Sequence, residues 1–118
     1  MEDRYYKIIN TRTGAVIAEK AKITQNFRER SIGLLNRKSL ESGEALLIKP
    51  CNSIHTFFMR FPIDVAFLNK EGNVVGIVKN MAAWRLASCI FKGYMTLELP
   101  VGSIDIQGIK IGDSIRFE

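Results

Sequence analysis

The chain concentrates its reactive residue types in one stretch, Cys51-Asn-Ser-Ile-His55-Thr56-Phe-Phe-Met59-Arg60-Phe-Pro62-Ile-Asp64. It holds the single histidine of the sequence and one of its two cysteines. Polar groups set among Phe, Ile and Met are costly unless they are hydrogen-bonded or face a cavity. The stretch is therefore expected to mark a site or a buried polar network.

Metal binding is the first chemistry to weigh. Cys51, His55 and Met59 follow a Cys-x-x-x-His-x-x-x-Met pattern, similar to the copper loop of cupredoxins. A blue-copper centre needs a second histidine, which this sequence lacks. Cys51, His55, Asp64 and Cys89 have suitable donor types for zinc, but their spacing does not demand an ion. No metal and no other cofactor is assigned.

Acid–base chemistry is the second. A carboxylate can orient an imidazole that titrates near neutral pH, so His55 and Asp64 form a candidate pair. Along an unbroken strand they would face opposite ways, and the break at Pro62 could bring them together. Adding Cys51 gives a candidate nucleophilic set. The plainer role carries more weight: Asp64 accepting backbone N–H groups near Pro62, and His55 bonding a neighbour.

Ligand binding is the third. Arg60 and Arg85 suit an anion, and Trp84 offers a flat apolar wall. An equally weighted reading pairs Arg85 with Glu98 or Asp64 and uses Trp84 to close a barrel mouth. Tyr94, Thr96 and Glu98 share one side of an alternating segment, and that side faces either the same cavity or water.

The elements that must position these groups are mostly strands. Residues 5–10 and 15–23 predict a hairpin around Gly14. Thr24 is expected to cap a helix over about 25–36, with Phe27, Ser31, Leu34 and Leu35 on one stripe. Gly33 on that helix implies close packing against a sheet. Residues 45–48 form an apolar run of strand length. Two strands, about 54–59 and 63–68, flank Pro62, which cannot join a central ladder. Residues 74–79 return from a turn at Gly72, making 63–79 a hairpin. Residues 80–93 are ambiguous, and 94–99 alternate. Ser103 is expected to cap a single helical turn ended by Gly108, with Asp113 bonding the turn at Gly112. Residues 114–117 form a closing strand. Many short strands with one main helix predict a mainly β fold, an antiparallel jelly-roll-like sandwich or barrel.

The chain has 118 residues, one domain spanning 1–118, with 47% hydrophobic and 25% charged residues. These values fit a globular domain that needs no disulfide staples. No apolar run reaches the roughly 20 residues of a membrane helix, so no membrane partner is expected. The polar N-terminus lacks a secretory segment, and a cytoplasmic location with two reduced thiols is expected. The net charge of +5 is moderate. Arg28, Arg30, Arg37 and Lys38 are the densest basic group, better read as a solvated helix face than as a nucleic-acid contact.

Four pieces carry a family resemblance: Arg30-Ser-Ile-Gly33-Leu34; His55-Thr-Phe-Phe-Met59 with Pro62-Ile-Asp64-Val-Ala-Phe-Leu68; Leu97-Glu98-Leu99-Pro100-Val-Gly102; and Gly108-Ile-Lys-Ile-Gly112-Asp113. From about residue 15 onward the chain resembles domain-of-unknown-function family 192, small bacterial and archaeal proteins. The resemblance implies a mostly β, jelly-roll-like domain with a short helix. It implies no activity and transfers no catalytic residue.

The sequence therefore predicts a small-molecule or peptide-binding module with a polar cleft. His55, Thr56, Met59, Asp64, Trp84, Arg85 and Glu98 would line it. His55 and Thr56 would give directional hydrogen bonds, Arg85 would hold an anionic group and Trp84 would form the wall. The first alternative is a hydrolase or transferase using His55 with Asp64 or Cys51. The second is an adaptor that binds nucleic acid or protein through the basic helix face, and of these nucleic acid is not the expected partner.

Overall fold

Alternation of apolar side chains along short strands shapes the molecule, because each strand buries one or both faces. The computed structural model describes residues 5–24, 40–57 and 59–118. The opening hairpin forms as predicted: β1 (Tyr6–Asn10) pairs antiparallel with β2 (Val16–Thr24). Thr24 is the last residue of β2 and pairs with Ile48. The helix expected at about 25–36, with Gly33 and the basic group Arg28, Arg30, Arg37 and Lys38, lies outside the described residues.

β3 (Glu44–Ile48) runs parallel to β2, which corrects the all-antiparallel expectation. A parallel pair needs a long connection, and β2 and β3 are far enough apart in the sequence for one. β4 (Ser53–His55) is shorter than the predicted 54–59. The Thr56 carbonyl accepts the Met59 N–H at 3.2 Å, which turns the chain and ends the strand. β5 (Ile63–Leu68) and β6 (Val74–Met81) form the predicted hairpin. Then follow β7 (Leu86–Ser88), β8 (Met95–Pro100), α1 (Ser103–Ile106) and β9 (Ile115–Phe117).

Seven strands form one mixed sheet in the order β6-β5-β8-β3-β2-β1-β9, strongly curled into a half-barrel. β4 and β7 form a separate two-stranded ribbon. The strands thus divide seven and two, rather than into two comparable antiparallel sheets. At one end the sheet's edges meet: Asn73 bridges Ser114, and the Ile115 N–H donates to the Gly72 carbonyl at 2.9 Å. Gly72 has φ 87°, and a Cβ there would lie 2.8 Å from the Ile115 carbonyl oxygen, so only glycine fits this closure.

The sheet separates two apolar clusters. Ala66, Leu68, Leu97 and Leu99 face the inside of the curl with Ile8, Leu47, Ile104 and Ile115. Ile63, Val65, Phe67, Leu46 and Ile48 face the other way, with Ile54, Met59, Phe61 and Met81. β5 is buried along its whole length because both of its faces are covered.

Asp64 belongs to the inner face and is 1% exposed. Opposite it, β6 carries a bulge: Ile63 pairs with Met81 and Val65 with Val78, leaving Lys79 and Asn80 to share one position. Asn80 takes φ 50° there, and its N–H donates to Asp64 Oδ1 at 2.8 Å. Asp64 Oδ2 accepts the Ile104 N–H of α1 at 2.9 Å. The expected capping by Ser103 is replaced. Gly102 is the N-cap residue, the Ser103 hydroxyl donates to the Pro100 carbonyl at 2.6 Å, and Asp64 takes the first-turn N–H.

Asp113 anchors the far end of the sheet. Its carboxylate accepts Arg12 Nε at 2.6 Å, Asn10 Nδ2 at 2.8 Å and the Lys110 N–H at 2.9 Å. The hydrogen bond from Arg12, helped by Lys110 and Asn10, holds its pKa at about 2, below the ordinary 3.8, while burial pulls the other way. The cysteines are free thiols, both half-buried. The molecule is compact, with a Cα radius of gyration of 12.8 Å. Among the described residues no helix is long and apolar enough to cross a membrane.

Asp64→Asn offers one acceptor oxygen where two are used, so it should lower the unfolding free energy by about 2–3 kcal/mol in urea titrations. Asp113 has its folded pKa below its unfolded one. Its contribution is therefore complete above pH 3.8 and is lost as pH falls towards 2. Asp113→Asn should be less stable than the parent by about 2 kcal/mol at neutral pH. The gap between the two proteins should narrow on acidification over that window, as followed by chemical denaturation.

Candidate functional site

The ribbon lies over the second cluster. Ser53 pairs with Ser88, Ile54 with Ala87 and His55 with Leu86. Ile54 is buried, and Ala87, Cys51 and Cys89 pack partly against the same cluster. By alternation, Ser53, His55, Leu86 and Ser88 share the outward face.

Thr56 fastens this ribbon to the loop after β6. It is fully buried. Its N–H donates to the Arg85 carbonyl at 2.9 Å, and its carbonyl accepts the Trp84 N–H at 2.9 Å. Its hydroxyl donates to the Ala82 carbonyl at 2.6 Å and accepts the Arg85 N–H at 2.9 Å. These bonds hold Trp84 at φ 63°, a conformation that bulky side chains rarely adopt.

Trp84 stands 55% exposed as a result. Its ring lies 6.0 Å from that of Phe57, which stacks on His55 at 4.7 Å. His55 Nδ1 accepts the Phe57 N–H at 3.2 Å, so a neutral ring carries its proton on Nε2. Leu86 beside His55 is 70% exposed, and Ile90 and Phe91 project beyond β7. The exposed Arg85 guanidinium donates to the Trp84 carbonyl at 3.3 Å. Residues 45–63 and 72–97 contain no Asp or Glu, while Lys49, Arg60, Lys79, Arg85 and Lys92 lie within them. Lys79 is paired with Asp105 at 2.6 Å.

The predicted site residues thus divide. His55, Trp84 and Arg85 come together on the ribbon, and Thr56 lies beneath them. Met59 fills the second cluster. Asp64 points to the opposite face of the sheet, so the polar cleft expected to join it to His55 and Arg85 does not form between them. Glu98 is fully buried in β8 between Leu46 and Val65. The Cys51 thiol donates to the Ser53 carbonyl at 3.0 Å and borders a shallow depression of about 190 Å³ with Pro50, Asn52, Gly93 and Tyr94. Among the described residues no three of His, Cys, Asp and Glu converge as metal ligands. Phe57, Leu86, Ile90 and Phe91 were not anticipated. The long carboxylate-free segments are the sequence signal that could have drawn attention to them.

The fold and the motifs agree with a family match. Residues 8–117 fit the DUF192 model, described as "Uncharacterized ACR". The chain belongs to the DUF192 family. It is 32% identical to a UPF0127 protein of Thermococcus sibiricus over 94% of this chain and 74% of that one. It is 31% identical to a UPF0127 protein of Pyrococcus abyssi, over 93% and 96%. Two solved structures share the fold. One is a protein of unknown function from Novosphingobium aromaticivorans, with TM-score 0.78 and 20% identity over 94% of this chain and 82% of that one. The other is a candidate transcription regulator from Sinorhizobium meliloti, with TM-score 0.81 and 17% identity over 99% and 98%. At these identities the likeness concerns the fold alone.

Thr56→Val keeps shape but removes the hydroxyl, leaving the Ala82 carbonyl and the Arg85 N–H without their partner. Stability should fall by about 2 kcal/mol. The emission of Trp84 should change before the global transition in a urea titration, and Thr56→Ser should restore both readouts.

Proposed function

We propose that this DUF192 protein is a binding module whose recognition surface is the outward face of the β4–β7 ribbon. It takes a small molecule or peptide that presents a flat apolar group beside an anionic one. One observation carries the reading: a bulky indole is fixed in a rare backbone conformation and left exposed next to stacked rings. Strained, over-determined residues cluster at functional sites, and contiguous exposed apolar surface marks contact regions. Trp84, Phe57 and His55 supply the apolar wall, with Leu86 extending it. Arg85 supplies the anion contact, and neighbouring segments carry no carboxylate to repel it. Thr56 is the support of this surface rather than a contact, and Met59, Asp64 and Glu98 belong to the interior that carries it. A pairing of His55 with Asp64 is not favoured, because Asp64 faces the inside of the curl while the ribbon that carries His55 lies over the other face.

Trp84 is the single tryptophan, so its emission reports directly on this surface. Titration with aromatic carboxylates, nucleotides and acidic peptides should identify compounds that shift or quench it. Trp84→Ala should weaken their binding at least about tenfold, and Arg85→Ala should weaken the anionic ones selectively. A compound that binds Trp84→Ala as tightly as the parent, with unchanged emission in the parent, would overturn the assignment.

A further inference from the structure

We propose that the partner of this surface is an extended acidic peptide that adds as a third strand along the free edge of β7. This deepens the binding-module reading above and rests on it. The hydrogen-bond parity of the ribbon identifies the edge. The Thr56 N–H donates to the Arg85 carbonyl at 2.9 Å, and the Cys89 N–H donates to the Asn52 carbonyl at 2.7 Å. Bonded pairs in an antiparallel ladder recur at every second residue. Asn52, Ile54 and Thr56 therefore bond to Cys89, Ala87 and Arg85. The N–H and C=O groups of Leu86 and Ser88 consequently point away from β4, and both residues are exposed. The opposite edge is less open, because the Ser53 carbonyl already accepts the Cys51 thiol.

Four main-chain groups at strand spacing are a template for an added strand, and alternate side-chain contacts then give selectivity. Leu86, 70% exposed, stands on β7 beside those groups, and Ile90, 64% exposed, lies in the turn that follows the strand and extends the apolar contact beyond its end. Arg85 and Lys92 flank this edge, and residues 72–97 contain no carboxylate. The charge complementarity therefore selects a peptide carrying Asp or Glu. The far end of the ribbon is also fixed rather than loose. The Gly93 N–H donates to the Cys89 carbonyl at 2.7 Å, a Cβ at Gly93 would lie 2.7 Å from that oxygen, and Asn52 Nδ2 donates to the Ile90 carbonyl at 3.2 Å. A nucleic-acid strand or a lipid surface would use the rings and cations but not the main-chain groups of Leu86 and Ser88.

The test is an array of ten-residue peptides with Val, Ile or Phe at alternate positions and Glu, Ser or Lys between them. Each peptide is also made with N-methyl groups on alternate amides in either register. The Glu-containing peptides should bind, and those with Lys should not. Methylation in one register should reduce binding by about tenfold or more, while methylation in the other changes it by less than about threefold. Ser88→Pro removes one outward donor and leaves the ribbon's own bonds, so it should lose peptide binding to a similar degree with an unchanged Trp84 spectrum. Equal binding after methylation in both registers would overturn strand addition while leaving the Trp84 surface reading intact. Binding to no peptide of the array, or binding instead to phosphatidylglycerol vesicles or a thymidine oligonucleotide, would overturn it as well. Should Ser88→Pro fail to fold, the two methylation registers decide the matter on the unaltered protein.

Discussion

The carboxylate of Asp64 is the constraint on which the rest of the architecture depends. It sits on a strand buried on both faces, where an unpaired charge would be severely destabilising. Each oxygen is committed to a backbone N–H that has no ladder partner, one in the β6 bulge and one at the start of α1. One side chain thus fixes how β6 leaves the sheet and where the chain turns after β8. The β6 exit leads directly into the Ala82–Arg85 loop, so the position of Trp84 traces back to that buried carboxylate. Asp64 and Thr56 act in series: the first sets the bulge, and the second captures the loop that follows it.

Polar and apolar groups exchange their customary places around this region. The buried polar side chains serve the backbone, and the exposed surface is built from rings and aliphatic groups. The interior tolerates Asp64 on β5 and Thr56 after β4 because the acceptors and donors they bring are used locally. The ribbon tolerates Phe57, Trp84 and Leu86 in water because its inner face, with Ile54 and Ala87, is held against the second cluster. Rigid support beneath and apolar material above suit the contact role proposed for this surface. Ordering costs are met when the protein folds, and fewer remain to be met on binding.

Much of the β architecture was legible in the sequence. Alternation at 94–99 and the hairpins at 5–23 and 63–79 follow from period-2 patterns bounded by turn residues, and these formed. The parallel β2–β3 pair was not legible, because neither strand records the direction of its neighbour and the crossover is long. The 54–59 strand failed because apolar content alone cannot foresee that Thr56 will use its own carbonyl to turn the chain. The candidate site was half legible. His55, Trp84 and Arg85 were correctly suspected of sharing a region. Asp64 was drawn in by proximity in sequence, although alternation along Ile63–Leu68 sends it to the other face. The plainer role weighed for Asp64, acceptor of backbone N–H groups, is the one the structure shows. Arg28, Arg30, Arg37 and Lys38 lie outside the described residues.

The seam between the two edges of the curled sheet also has a bearing on biosynthesis. β9 pairs with β1, so Ile8 meets Phe117 across almost the entire sequence, and Gly72 and Asn73 receive the same late segment. Such distant pairings place a heavy loop-closure burden on folding. A nascent chain that has not yet extruded residues 113–117 lacks the partner for both β1 and the Gly72 turn. Its open strand edges stay unsatisfied until those residues are made, so the curl of the sheet closes only after its last strand has emerged.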